Sequence, residues 1–394
     1  MPLANGRHFL AIPGPSVMPD EVLRAMHRPS ANIYDGELVD MTVAMTPDLK
    51  AIARTDGHAM TYIANGHGVW EAALTNTLND GDKVLVLESG RFAIGWAEMA
   101  EKLGITCEIM NAPARRGVDP QMVEDRLRAD TAGEIKAILV VQIDTSSGVW
   151  NDIQAIGAAI RAAGHDALYM VDCMASLGCV EYEMDKWGAD VTTCGSQKGL
   201  MTPPGLGFVW ANDRALDKGA TLTRGRSYWD WDPRAKPEMF YQRFCGTAPV
   251  QHLYALRAAL DMIADEGMEA IWARHAALAE GVRAAVEHWG RAGGLTLNII
   301  DENARSNSVT TILTNGFDAE KLRGVTEEKL GVTLGVGLGL DPQSAFRIGH
   351  MGHVNAPMIL GTLGAVELAL QHMDAPFTPG GVEAAIRAMK QGVA

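Results

Sequence analysis

Between residues 83 and 211, short continuous apolar runs alternate with segments whose apolar positions recur every three or four residues. The runs at 83–88, 106–111, 135–143, 168–171, 191–194 and 208–211 read as strands. The segments at 94–103, 120–129 and 153–163 read as helices. A strand apolar at successive positions is buried on both faces. The alternation therefore predicts an α/β unit with a parallel-rich sheet covered on both sides. Ahead of it, residues 1–20 read as an irregular arm with turn residues Pro13, Gly14, Pro15 and Pro19, and Asp20 as cap of a short helix from Glu21. Residues 40–56 read as a helix, 60–63 as a short strand, and 66–78 as a Gly-rich turn running into a helix.

After the turn Gly246–Pro249 the pattern changes. Residues 248–289 are almost wholly helical, followed by short strands at 295–300, 309–313 and 345–348 and helices at 319–330 and 357–372. This predicts a smaller α+β domain over 248–394 that starts with a long linking helix, after a larger domain over 21–247.

The 394 residues are 47% hydrophobic and 21% charged, enough for a large core and a second domain. A net charge of −14 argues against nucleic acid and anionic membranes as partners. No run of eighteen apolar residues suggests a membrane span, and the N-terminal apolar stretch is short for a signal peptide. Cys107, Cys173, Cys179, Cys194 and Cys245 lack CxxC spacing, which favours free thiols in a reducing cytoplasm.

Two positions carry the chemistry. Lys198, in GSQKG, closes the strand at 191–194 among small and polar neighbours, where an amine can be desolvated, made neutral and form a Schiff base with an aldehyde. Asp172 stands at the carboxyl end of the strand before it, the side on which open α/β sheets bind ligands. A solvated turn lysine and a helix-capping aspartate are the ordinary uses of such residues. Their succession on consecutive strands instead places both beside one cleft. The turn Asn65–Gly68 opens a helix and offers backbone N–H groups to an anion, or is a plain strand-to-helix turn. Phe92 can stack on a flat ring or fill the core. Thr145, in the TSSG run, offers a hydroxyl or simply forms a turn. Arg347, between Phe346 and Ile348, can fork onto a carboxylate or form a surface salt bridge. The GVGLG run at 335–339 lacks the strand–turn–helix context of a dinucleotide loop. The pair His350 and His353 is a poor metal signal, and no metal site is expected.

Asp172 with GSQKG, the opening IPGPSVMP, the segment NGHGVWEAALTN and the late FRIGHMG resemble the class V, fold type I pyridoxal 5′-phosphate-dependent aminotransferases. The branch is that of alanine–glyoxylate and serine–glyoxylate aminotransferases, and the resemblance runs from about Ile12 to about Leu370. It implies a mostly parallel seven-stranded sheet with helices on both faces, and an arm that packs with the small domain. It implies that Lys198 holds pyridoxal 5′-phosphate and serves as base, with Asp172 on the ring nitrogen. Gly66, His67 and Gly68 would meet the phosphate, with Gln197 and with Thr247 of the neighbouring subunit of a homodimer. Phe92 and Met174 would flank the ring, and Thr145 would reach its phenolic oxygen. Arg347 would hold the substrate carboxylate, with Gly14 and Tyr34 as further substrate contacts.

Two departures stand out. Phe244 replaces a tyrosine that often accompanies Thr247, and Tyr34-Asp35 resembles the pyridoxamine–pyruvate branch, although His67 is kept. The expected reaction is ping-pong transfer of an amino group from alanine, serine or aspartate to a 2-oxo acid, with glyoxylate the acceptor. Alternatives are a pyridoxamine–pyruvate transaminase, a lyase or desulfurase on the same fold, and a non-catalytic relative. Gln197 in place of the histidine that usually precedes the lysine in desulfurases favours transamination.

Overall fold

The computed structural model describes residues 3–393; Met1, Pro2 and Ala394, at the outer ends of the expected arm and small domain, lie outside the described residues. Its strands, in chain order, begin with β1 (Phe9–Ala11), β2 (His58–Ala64), β3 (Lys83–Glu88), β4 (Thr106–Asn111), β5 (Ile135–Val141), β6 (Ile143–Asp144) and β7 (Val149–Trp150). They continue with β8 (Leu168–Asp172), β9 (Val191–Gly195), β10 (Gly205–Ala211), β11 (Leu295–Leu297), β12 (Val309–Thr314), β13 (Val332–Val336) and β14 (Ala345–Gly349). The larger sheet has seven strands in the order β2-β10-β9-β8-β5-β3-β4. Only β10 runs antiparallel, to β9 on one side and β2 on the other. The mostly parallel sheet expected from the sequence is present.

The continuous apolar runs have the predicted cause. Val84, Val86, Leu168 and Met170 pack into one core, against the helices Gly66–Thr75 and Arg91–Lys102. Leu85, Leu87, Tyr169 and Val171 pack into the core on the opposite face, against the helices Pro120–Ala129 and Ile153–Ala163. Alternate side chains thus feed both cores, and no position can be polar without a partner.

Several expected boundaries shift. The first helix begins at Asp20 rather than after it, and Asp20 makes no side-chain cap. The run at 135–143 is broken at Gln142, whose N–H bonds the carbonyl of Asp172 and whose amide reaches the carbonyl of Glu181, so β5 ends at Val141. Lys198 lies three residues past β9, in a turn.

The second sheet has the order β1-β13-β14-β12-β11, with Phe9–Ala11 of the arm pairing in parallel with Val332–Leu334. Neither β1 nor β13 was expected from the sequence. The long helices Val250–Glu266 and Met268–Trp289 lead into this sheet, and a third core forms beneath the second of them. Among the described residues no helix is long and apolar enough to cross a membrane.

Gly157, in the helix Ile153–Ala163, sits where an added methyl would land on the carbonyl oxygen of Trp187. Alanine gains about 1 kcal/mol of helix propensity, but overlap with a fixed backbone atom costs more. Gly157→Ala is expected to lower the unfolding free energy by about 2 kcal/mol, read from urea denaturation of the purified protein.

Candidate active site

The carboxyl ends of β8 and β9 and the elements that cross above them enclose a cavity of about 160 Å³. Asp172 closes β8, and Lys198 and Gln197 come from the turn after β9. Gly66, His67 and Trp70 come from the start of the helix after β2, and Phe92 from the start of the helix after β3. Thr145 follows β6, and Met174 follows β8. Three wider grooves lie elsewhere, of about 720 Å³ beside Lys50 and Arg54, about 660 Å³ beneath the arm at Phe9 and Val17, and about 400 Å³ beside Arg91 and Arg115. None of them sets a buried carboxylate facing a lysine, so the smaller cavity is the candidate site.

Asp172 is 1% exposed. Its Oδ1 accepts the Met174 N–H at 2.7 Å and its Oδ2 accepts the Trp70 indole N–H at 3.1 Å. Burial pushes the carboxyl up to about 7, the two hydrogen bonds opposing only in part. No lysine or arginine lies within salt-bridge distance of it among the described residues. A buried carboxylate of this kind suits a cationic partner arriving with a ligand.

Lys198 is half-buried, and its Nζ donates to the carbonyl of Pro13. Burial, and secondly the positive charge of Arg347, bring its amine down to about 8. Its own carbonyl accepts the Ser16 hydroxyl at 2.7 Å. Gly14, at φ +98°, lies so near that a Cβ there would overlap the Lys198 side chain. Only glycine satisfies both the left-handed backbone and that approach.

Arg347 is 6% exposed, at the middle of β14. Its Nε donates to the carbonyl of Val336 at 2.5 Å and its Nη1 to the carbonyl of Thr145 at 2.9 Å. No carboxylate forms an ion pair with it among the described residues, which overturns the surface salt-bridge reading. A buried, pre-aimed guanidinium without an anion suits a ligand carboxylate.

Sequence reasoning missed three residues. Trp70 falls within the helix expected after the Gly-rich turn, and nothing in its sequence context marks it out. Pro13 enters through its carbonyl, which every residue type carries. Asp144, fully buried, accepts from the N–H groups of Phe92 at 2.9 Å, Ala93 at 3.2 Å and Ser146 at 2.9 Å, and from the Ser146 hydroxyl at 2.6 Å. It caps the helix Arg91–Lys102, whose own cap position is Gly90. The DTSSG run was the available signal.

The structure does not bring every candidate together. The N–H groups of His67 and Gly68 are not free: the Asn65 side chain accepts both, at 3.1 and 3.3 Å. An anion there competes with Asn65 for them. Gly68 is off the cavity, packed against Trp229. Thr247 is exposed and away from it, and Tyr34 is 87% exposed in a loop held by Asn32. Phe244 is core, edge-on to Phe240, so the departure at this position fills the interior. The GVGLG run is the end of β13 and a turn, with Gly339 against Arg91 and Ser146. His350 is buried and bonded to Thr310 and Asn307.

The residues fit the coenzyme that the resemblance implies. Asp172 is an uncompensated buried carboxylate, Lys198 a partly neutral amine, and the Gln197 amide oxygen is buried without a donor beside the cavity. Phe92 and Met174 supply apolar walls.

A family model described as aminotransferase class-V matches residues 57–342. The chain is 38% identical to a serine–glyoxylate aminotransferase of Methylorubrum extorquens over 96% of this chain and 95% of that one. It is 34% identical to an L-aspartate–glyoxylate aminotransferase of Paracoccus denitrificans, over 97% and 96%. The crystal structure of a pyridoxamine–pyruvate aminotransferase from Mesorhizobium loti superposes with a TM-score of 0.89 at 28% identity, covering 98% of each chain.

The raised carboxyl of Asp172 makes a test without any ligand. Its proton is held more tightly folded than unfolded, so its contribution to stability is full below the ordinary aspartate value of 3.8 and is lost as pH rises through about 7. Asp172→Asn does not titrate. In the coenzyme-free protein its stability relative to the parent is expected to rise between pH 4 and 8 by about 4 kcal/mol at most, measured by denaturant unfolding at each pH.

Proposed function

This chain belongs to the aminotransferase class-V family, and we propose that its site holds pyridoxal 5′-phosphate and moves the amino group of a small amino acid to a 2-oxo acid, glyoxylate being the acceptor. The observation that carries this reading is the unpaired buried Arg347 beside the lowered amine of Lys198 and the buried carboxylate of Asp172. The names of the relatives support serine or aspartate as donor and glyoxylate as acceptor.

When bound, the coenzyme supplies an aldehyde carbon for the amino nitrogen and a conjugated ring that takes up an electron pair. Arg347 holds the substrate carboxylate by two parallel hydrogen bonds, which fixes the Cα–H bond in direction. Lys198 Nζ, neutral in part near neutral pH, would take the Cα proton and deliver it to the coenzyme's aldehyde-derived carbon. Asp172 would hold a proton at the ring nitrogen, Phe92 and Met174, which line the cavity, would keep water from the ring, and Thr145 would offer its hydroxyl to it.

We place the larger domain at 21–247 and the smaller at 248–394, the pairing of β1 with β13 supporting the arm's attachment to the smaller. The exposure of Tyr34 and Thr247 in one chain supports a homodimer in which they meet the partner's site. The free cysteines support a cytoplasmic location. A second reading takes pyridoxamine as donor. Tyr34-Asp35 and the match to the pyridoxamine–pyruvate enzyme favour it, and the retained His67 opposes it.

Borohydride reduction of the loaded protein and peptide mass mapping are expected to tag Lys198, and Lys198→Ala to abolish turnover. A tag elsewhere, or turnover retained, overturns the reading. Single-turnover incubation with alanine, serine, aspartate or pyridoxamine, followed by absorbance, identifies the donor. Arg347→Lys keeps the charge and loses the fork. It is expected to raise KM for every amino acid roughly tenfold or more while kcat changes less, measured in steady-state assays.

A further inference from the structure

The two donors to Asp172 differ in origin. Met174 lies two residues on, and its N–H closes a local turn. Trp70 lies 102 residues away in sequence and reaches in from the helix Gly66–Thr75. Its indole N–H is donor only and does not titrate. Trp70 is 2% exposed, stacked on Trp96 with ring centroids 5.8 Å apart at 15°, and edge-on to Phe92 at 6.4 Å. His67 lies tilted against it at 4.9 Å. The indole therefore has little freedom, and one side chain joins Asp172 to two other residues of the cavity wall.

We propose that Trp70 is a positioning residue for transamination: its indole N–H fixes Oδ2 of Asp172 in the ionised form and turns the carboxylate's free lone pairs into the cavity. Two carboxylate oxygens offer about four acceptor sites. Met174 and Trp70 take one on each oxygen and set the plane of the group. A phenylalanine at 70 would keep the stacking and remove the donor, so the ionised form would lose a charge-assisted bond in a dry site. The catalytic consequence rests on the transaminase reading; the coupling of Trp70 to Asp172 does not.

The test begins with coenzyme-free protein carrying 15N-labelled tryptophan. One of the nine indole signals is expected to shift with pH about a midpoint near 7, and to stop shifting in Asp172→Asn. In Trp70→Phe the Asp172 midpoint, read from the pH dependence of unfolding, is expected to move up by about one pH unit. With coenzyme bound, kcat of Trp70→Phe is expected to fall roughly tenfold with KM little changed. Stability lowered equally at every pH, with an unmoved midpoint, would show a packing role alone and overturn the proposal. Absence of any indole signal that follows Asp172 overturns it too, even where Trp70→Phe does not fold. A titrating indole in a protein that binds no coenzyme leaves the coupling standing and removes its catalytic half together with the transaminase reading.

Discussion

A carboxylate buried at the end of a parallel strand, bonded on both oxygens and without a cation, is the constraint around which this site is arranged. Taking a carboxylate out of water costs several kcal/mol even after relaxation. Two hydrogen bonds offset part of that, and the proton affinity of Asp172 stays raised. A strand end is the place that can hold such a group. β8 is buried on both faces and flanked by β5 and β9, so Asp172 cannot swing to solvent. The same topology puts the turn after β9 beside it, and Lys198 follows.

The electrostatics of the site extend beyond that pair through one peptide group. Arg347 donates to the carbonyl of Thr145, and the N–H of the same peptide unit, at Ser146, donates to Asp144. A buried cation and a buried anion are thus joined across a polarised amide without touching. Asp144 also raises the proton affinity of Arg347 through space, which keeps the guanidinium charged despite its burial. A direct ion pair would have satisfied Arg347 and left nothing for a ligand carboxylate.

How far this was legible in the sequence follows from the range of each interaction. The helices at 120–129 and 153–163 were placed at both ends because local residues set them: Asp119 and Asp152 cap them, Pro120 occupies a first-turn position and Gly164 ends the second. Asp172 was legible as a strand-end residue, and Lys198 as its neighbour at the same cleft, although it sits in the turn after β9 rather than at the strand's end. The burial of Arg347 on two backbone carbonyls rather than a carboxylate was not, since those carbonyls, of Val336 and Thr145, belong to other elements. β1 and β13 were missed because three- and five-residue strands carry little period of their own and are fixed by each other. The Asn65 side chain defeated the free-amide reading of NGHG: a good helix cap satisfies the same donors that a phosphate would use. Trp70 was hidden by being a sound core residue as well.

On the proposed reading, the placement of the two cations would give substrate binding a chemical effect beyond attachment. After burial, the charge of Arg347 is the largest influence that lowers the proton affinity of Lys198. Without substrate this helps keep the amine neutral in part, the form that can act as nucleophile or base. A carboxylate seated on Arg347 cancels most of that charge. On that reading the repulsion on Lys198 would then fall, and its Nζ would hold a proton more tightly when a substrate Cα–H lies before it. An amine or ligand without the carboxylate would fill the same space and leave Arg347 uncompensated. On the proposed reading, selection for amino acids would rest on the basicity of the lysine as well as on the fork of the arginine.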